Sequence, residues 1–144
     1  MLKSISILGY IGMVGGLLAL LVLRALFSRS PFVIAPQAAS LVLFLWARIT
    51  FGRRSYHVAA NPTEGGLVRS GPYRYIRHPI YTAMCVFAAA GIAAHWSPGA
   101  ALCGALILVS TAARMWAEEK LVTARYPDYA HYASETWRMI PYVF

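Results

Sequence analysis

Charged residues are scarce in this sequence, and acidic ones scarcer still. Only 12% of the 144 residues are charged, with five Asp or Glu against thirteen Lys or Arg, while hydrophobic residues make up 59%. A chain of this length forms only a small interior, which cannot bury so much apolar surface. The composition therefore excludes an ordinary water-soluble domain and predicts a protein that is covered by lipid.

Cysteine and histidine are also too sparse for several kinds of site. Cys85 and Cys103 are the only cysteines, and each lies inside an apolar run. Their positions exclude a disulfide framework and a thiolate metal site, and both are interpreted as small buried hydrophobic residues. The histidines are scattered along the chain, at His57, His78, His95 and His131. The sequence predicts no metal centre.

What is abundant is apolar sequence, arranged in four runs. These runs cover residues 5–27, 31–46, 79–96 and 100–117. The first is long enough to cross a hydrocarbon core of about 30 Å as an α-helix. The breaks after the first and third runs are so short that each pair must form a helical hairpin. We expect an all-α integral membrane protein with about four transmembrane helices. Residues 1–47 form the N-terminal hairpin, and residues 48–144 form a loop, the second hairpin and a tail.

The basic residues are distributed unequally across this four-span arrangement. Eleven fall on one side, namely Lys3, Arg48, Arg53, Arg54, Arg69, Arg74, Arg77, Arg114, Lys120, Arg125 and Arg138, and only Arg24 and Arg29 fall on the other. The richer side is expected to be cytoplasmic. We expect a multi-pass protein of the cell inner membrane with both termini and the central loop in the cytoplasm. Because the basic residues flank apolar runs rather than covering one solvated face, nucleic acid is not expected as a partner.

The densest polar motif directly precedes the third apolar run, at residues 71–81. Pro79 suits the first position of a helix, which places His78 at the cap beside free backbone donors that can receive an anionic group. An anchoring segment is the alternative, with arginines facing lipid phosphates and tyrosines in the interfacial belt. That alternative does not account for a histidine before a proline and a tyrosine two residues later.

A second motif lies at the cytoplasmic end of the fourth run. Arg114 and Glu118 are four residues apart and are expected to form an ion pair along one helix. Glu119 has no such partner and points about 100° away around the helix. Carboxylates at a membrane edge are costly without a partner or a function, so the pair of glutamates indicates a site for a cationic ligand.

Together these residues carry a family resemblance. Arg77-His78-Pro79 with Tyr81, followed one hairpin later by Glu118-Glu119 and then by residues 125–132, resembles the isoprenylcysteine carboxyl methyltransferase family and its phospholipid N-methyltransferase relatives. The similarity covers residues 65–144. It implies that S-adenosyl-L-methionine binds in a cytosolic pocket formed by the central loop, the last span and the tail.

The resemblance also implies roles for individual residues. The expected cofactor-binding residues are Tyr73, Tyr75, Arg77, His78, Tyr81, Glu118 and Glu119, and the expected catalytic residues are Arg77 and Arg125. Methyl transfer from a sulfonium is an in-line displacement, which requires alignment and dehydration but neither a metal nor a covalent nucleophile. An arginine suits a carboxylate acceptor. An amine or thiol acceptor would require a base, such as His78 or a tyrosine.

The function expected is therefore that of an integral membrane S-adenosylmethionine-dependent methyltransferase with a lipophilic acceptor. The reaction favoured is carboxyl O-methylation of an isoprenylcysteine-like or related small substrate. Membrane lipids are expected as further partners of the protein.

Two alternatives stay open. Sterol-type membrane reductases that use NADPH share the Arg-His-Pro-x-Tyr turn, although the paired glutamates would repel a phosphate-rich cofactor. A non-catalytic lipid-binding protein is the other alternative. In the first run Gly12, Gly15, Gly16 and Ala19 form a close-packing face. A homo-oligomer that packs through this face is a further expectation.

Overall fold

The computed structural model describes residues 1–52 and 66–144, and this part of the chain is helical without a strand. Five α-helices follow one another: α1 (Leu2–Val22), α2 (Pro31–Phe51), α3 (Pro79–Ala94), α4 (Pro98–Arg125) and α5 (Tyr129–Glu135). A 3-10 turn, Gly71–Arg74, lies between α2 and α3. Arg53, Arg54 and His57, which the sequence assigns to the central loop, lie outside the described residues. The all-α prediction is confirmed.

Three of the helices are long and apolar enough to cross a membrane, namely α1, α2 and α4. The remaining predicted span, the third apolar run, corresponds to α3, an apolar helix of 16 residues. At 1.5 Å per residue α3 is about 24 Å long, which is shorter than a typical hydrocarbon core. Three helices therefore have the length and composition of membrane spans, and a fourth crossing stays a prediction.

The fourth apolar run was predicted to begin at residue 100, but α4 begins at Pro98. The Ser97 hydroxyl accepts a hydrogen bond from the backbone nitrogen of Ala100 at 3.1 Å, so Ser97 caps the helix and Pro98 occupies its first turn. At its other end α4 continues past the apolar run to Arg125. This extension carries Glu118 and Glu119 on a rigid helix, as expected for the continuation into the tail.

Each helix of the first hairpin packs mainly against a helix of the second: α1 lies along α4, and α2 along α3. Glycines allow α1 to approach α4 closely. A Cβ atom on Gly9 would lie 2.7 Å from the Ser110 carbonyl oxygen, and one on Gly16 would lie 2.6 Å from Ile107. Gly12 faces the Ser110 hydroxyl, whereas a Cβ atom on Gly15 would meet no other described residue within 4 Å. The glycine face is thus largely occupied within one chain, and the expected oligomer through α1 stays a prediction.

Hydrogen bonds to backbone carbonyls fasten the end of the bundle that holds the two tight turns, here called the far end. The Gln37 amide donates to the carbonyl of Leu26 at 2.7 Å and to that of Phe87 at 3.3 Å. The His95 ring lies 2.8 Å from the carbonyl oxygen of Phe27. These bonds join α2, α3 and the first connection. The opposite end, here called the site end, carries both sequence motifs.

Candidate functional site

The site end is formed where the central segment before α3 meets the tail. The backbone nitrogen of Arg77 donates to the carbonyl of Trp137 at 2.7 Å, and that of His78 donates to Arg138 at 2.9 Å. In return the nitrogen of Trp137 donates to Tyr75 at 3.0 Å. Segments that are about sixty residues apart in sequence therefore run side by side. The described part of the central segment and the tail lie at one end of the bundle, as the sequence predicts.

Glu119 is surrounded by three basic side chains from two segments. Its Oε1 atom lies 3.1 Å from Arg77 Nε and 3.2 Å from His78 Nε2. Its Oε2 atom lies 3.2 Å from Arg138 Nη2. Only 15% of the Glu119 side chain is exposed, against 44% for Arg138. The central segment thus holds one carboxylate oxygen in a nearly dry position, and the tail supplies an exposed cation to the other.

Arg77 also has a structural task at the end of α5. Its Nη1 atom donates to the carbonyl of Ala133 at 2.8 Å and to the carbonyl of Thr136. Carbonyls at the end of a helix have no intrahelical partner, and a cation there also suits the helix dipole. Arg77 therefore ties α5 to the start of α3 while it holds Glu119.

Glu118 has a different and more buried set of partners. Its Oε1 atom accepts a hydrogen bond from the Tyr81 hydroxyl at 2.6 Å and lies 3.0 Å from Arg114 Nε, which confirms the predicted ion pair. Arg114, which is 5% exposed, also donates to the Tyr81 oxygen and to the Ser6 carbonyl at 3.0 Å. Its guanidinium lies over the Tyr10 ring, 5.2 Å from the centroid. The buried arginine joins α1, α3 and α4 at one point.

His78 lies between the two carboxylates. Its Nε2 atom is 3.2 Å from Glu119 and its Nδ1 atom is 3.9 Å from Glu118, while its ring stacks on that of Tyr81 with centroids 5.6 Å apart. His78 occupies the N-cap position of α3 with Pro79 in the first turn, as predicted. Its side chain makes no cap hydrogen bond. The ring instead faces the glutamates and presents one nitrogen to each of them.

Three predicted site residues lie apart from this cluster. Tyr73 is buried against Phe51, with ring centroids 5.3 Å apart, and its carbonyl accepts a hydrogen bond from the Tyr132 hydroxyl at 2.7 Å. Tyr75 is 58% exposed. Arg125 is exposed at the last position of α4. It lies six residues beyond Glu119, which displaces it by about 9 Å along the helix and turns it to another face.

The buried tyrosines of this region remain neutral at ordinary pH. Burial raises the pKa of Tyr132 to about 12. Burial raises the pKa of Tyr129 further above its usual range, and the neighbouring Glu119 carboxylate adds to the effect. Burial also raises the pKa of Tyr73. Their hydroxyls are thus available as hydrogen-bond donors that pack the tail onto the central segment.

Ser6, Tyr10 and Arg138 were not singled out from the sequence, and Arg114 was interpreted only as an ion-pair partner for Glu118. Ser6 acts through a backbone carbonyl, and Tyr10 lies over one hundred residues from Arg114 in sequence. No local pattern marks such contacts. Arg138 offered one usable signal, because a basic residue in a tail that folds over two glutamates is a natural counter-ion.

A known protein family matches the part of the chain that contains the two glutamates. A family model described as phospholipid methyltransferase matches residues 35–129, which is more than half of the chain. The match includes every predicted site residue from Tyr73 to Arg125, whereas α1 and the segment around Arg138 lie outside it. No curated protein and no solved structure matches the chain.

Proposed function

This chain belongs to the phospholipid methyltransferase family, and from that premise we propose that it transfers a methyl group from S-adenosyl-L-methionine to a lipophilic acceptor. The observation that carries the proposal is the paired carboxylates of Glu118 and Glu119. They lie next to each other inside the matched region and are surrounded by arginine, histidine and tyrosine side chains.

The residues at the site end fit the polar groups of this cofactor. Its amino-acid end carries an ammonium and a carboxylate, and its ribose carries hydroxyls. Glu118 and Glu119 supply oxygens that accept from ammonium or hydroxyl groups, while the exposed guanidinium of Arg138 can pair with a carboxylate. When bound, the cofactor supplies an activated methyl group for an in-line displacement.

The chain's own residues supply alignment and exclude water. His78 and Arg77 are 9% and 10% exposed, so the atoms that face the carboxylates are largely dry. A dry site strengthens electrostatic contacts and favours correct orientation. We propose that His78 holds a proton on the ring nitrogen nearer to Glu119, and that an acceptor amine or thiol would lose its proton to this ring.

A carboxylate acceptor would instead be oriented by arginine. Within the described part of the chain, Arg77 uses Nε for Glu119 and Nη1 for the carbonyls at the end of α5. Nη2 is then the donor that Arg77 can offer to an acceptor carboxylate. The second predicted catalytic residue, Arg125, is exposed at the end of α4, so we place the first emphasis on Arg77.

The position of the site favours an acceptor that arrives through the membrane. Tyr81 belongs to a small apolar cluster together with the buried Met13 and Met115, and Tyr10 and Met84 pack against this cluster. Methionine side chains adapt to irregular apolar groups. We propose a lipid-like acceptor, either an isoprenylcysteine-like carboxylate or the amine of a phospholipid, at the cytoplasmic face of the cell inner membrane.

The two acceptor classes can be separated by one assay. Purified protein in liposomes would receive radiolabelled cofactor together with either a prenylated cysteine or phosphatidylethanolamine. Label in a base-labile ester supports the carboxyl acceptor, whereas label in the phospholipid head group supports the amine. The reductase alternative has no support from the family match, and nicotinamide consumption without methyl transfer would restore it.

Cofactor binding is tested by calorimetric titration of the purified protein with S-adenosylhomocysteine. We expect saturable binding by the wild type and at least a tenfold loss of affinity in Glu119→Gln, since the amide is a weaker acceptor for a cation or hydroxyl. Glu135→Gln is the matched control, because Glu135 is 61% exposed and its ion-pair partner among the described residues is His131 on the surface of α5. Absence of saturable binding by folded wild type would overturn the proposal.

A further inference from the structure

The tail after α5 exposes a cluster of apolar side chains that no membrane-spanning helix accounts for. Trp137, Ile140, Tyr142, Val143 and Phe144 are all exposed, Tyr142 to 87% and Val143 to 73%. Clusters of exposed apolar groups in one place usually mark a surface that contacts lipid or another molecule. Residues 137–144 are here called the tail patch.

The tail patch has a defined shape. The backbone nitrogens of Met139 and Ile140 donate to the carbonyl of Phe144 at 2.7 Å and 2.9 Å, and the nitrogen of Phe144 donates to Ile140 at 3.0 Å. The rings of Trp137 and Tyr142 are in contact, with centroids 5.7 Å apart. The apolar side chains are therefore presented outward from a closed turn rather than from an extended strand.

The tail patch is attached to the helices of the bundle through Met139. The Thr82 hydroxyl, in the first turn of α3, donates to the carbonyl of Met139 at 2.9 Å. The Met139 side chain packs against the apolar cluster that contains Met13 of α1 and Met115 of α4. Both α1 and α4 are apolar enough to cross a membrane. The tail patch is thus held next to helices that are apolar enough to cross a membrane.

We propose that the tail patch inserts into the lipid bilayer at the site end, at the boundary between head groups and acyl chains. Trp and Tyr favour this boundary because each combines an apolar ring with a polar edge, and Ile, Val and Phe gain from leaving water. The partner is the membrane itself, and the contact adds an interfacial element to the spanning helices.

Insertion would also bear on the site. The carbonyls of Trp137 and Arg138 accept hydrogen bonds from the backbone of Arg77 and His78, and Arg138 pairs with Glu119. The segment that touches lipid is therefore the same segment that holds the motif before α3. A tail seated in the membrane fixes that motif relative to the bilayer surface.

The depth of the tail patch can be measured with a single fluorophore. In a Cys85→Ala, Cys103→Ala background, Val143→Cys would carry an environment-sensitive nitrobenzoxadiazole label in phosphatidylcholine–phosphatidylglycerol nanodiscs. We expect several-fold stronger quenching by lipids that bear a nitroxide near the start of the acyl chain than by iodide in the water. The matched control is Ala130→Cys, an exposed position on α5, for which iodide should be the stronger quencher.

Two results with the labelled proteins would overturn the proposal. Equal behaviour of the labels at positions 143 and 130 would mean that the tail patch faces water. Shielding of position 143 from both quenchers would mean that a protein surface, such as a second copy of the chain, covers it.

If the cysteine-free background fails to fold, wild type and Trp137→Phe are compared in brominated-lipid nanodiscs. If Trp137 lies in the bilayer, Trp137→Phe should remove part of the tryptophan fluorescence that brominated lipid quenches. If the substitution removes only fluorescence that brominated lipid does not quench, insertion is refuted. These readouts do not depend on methyl transfer.

Discussion

At the residue scale, two adjacent glutamates have separate environments. Glu119 is paired with Arg77, His78 and the exposed Arg138, so its partners come from the central segment and the tail. Glu118 is paired with Arg114 and accepts a bond from Tyr81, inside the bundle. Successive residues on a helix point about 100° apart, which allows neighbouring carboxylates to serve different partners. Glu119 is thus suited to exchange a partner for a ligand, while Glu118 is held in place.

Arg114 is the residue whose loss should be felt most widely. Arg114→Met would remove the guanidinium that pairs with Glu118 and donates to the Ser6 carbonyl, and breaking such a buried pair typically costs about 3–5 kcal/mol. Arg114→Lys should be intermediate, since an ammonium lacks the planar fork that reaches several acceptors at once. Thermal unfolding in detergent, followed by circular dichroism, measures the effect.

Arg125→Met is the control for this series, because Arg125 is exposed at the end of the same helix. Its unfolding temperature should stay close to that of the wild type. If Arg114→Met and Arg125→Met were equally stable, the contacts of Arg114 with α1 and α3 would contribute nothing to the fold.

At the element scale, the approach of α1 to α4 depends on glycine. Gly9 lies against a backbone oxygen of α4, which cannot move aside as a side chain can, while Gly15 faces open space. Close packing of this kind is a common way for helices to associate in membranes. It also brings Ser6 and Tyr10 within reach of Arg114.

The matched pair Gly9→Ala and Gly15→Ala tests this packing. Alanine is the better helix former by about 1 kcal/mol, so Gly15→Ala should be neutral or stabilising. Gly9→Ala should destabilise by about 1–3 kcal/mol, because the added methyl group must push the two helices apart. Their unfolding temperatures should therefore move in opposite directions, and a parallel shift would contradict the close approach of α1 and α4.

At the same scale the sequence predicts helices better than it predicts partners. Hydropathy identifies the four helices of the bundle, since a long apolar run has no other stable form in lipid. Glu118 and Tyr81 are found because they belong to compact motifs. Arg138 and Tyr10 are missed because their contacts join distant parts of the chain, and Arg125 is displaced from the cluster by the length of helix that separates it from Glu119.

At the scale of the whole molecule, buried tyrosines link stability to pH. Tyr73, Tyr129 and Tyr132 lie where the tail packs on the central segment, and burial raises the pKa of each hydroxyl above the usual value of about 10. Below that pH both the folded and unfolded chains keep the protons. Above it the unfolded chain loses them first, so the folded state loses stability as the pH rises.

The contribution of these tyrosines to the free energy of unfolding should consequently be constant from about pH 8 to pH 10. It should fall from about pH 10 to pH 12. Tyr132→Phe should reduce the fall, although loss of its bond to the Tyr73 carbonyl should cost about 1 kcal/mol at neutral pH. Unfolding temperatures measured across this range provide the test. A pH profile of Tyr132→Phe parallel to that of the wild type would refute the contribution of Tyr132.

The two ends of the bundle differ in whether an exposed ion pair adds to their hydrogen bonds. At the far end Gln37 donates from a neutral amide to backbone carbonyls, which ionic strength hardly affects. At the site end Arg138 and Glu119 form an ion pair with the arginine 44% exposed, which is the type of contact that dissolved salt weakens. Salt therefore acts on this protein asymmetrically. Salt weakens the ion pair between Arg138 and Glu119, whereas it hardly affects the hydrogen bonds of Gln37. A change in ionic strength therefore alters the stability of the site end more than that of the far end.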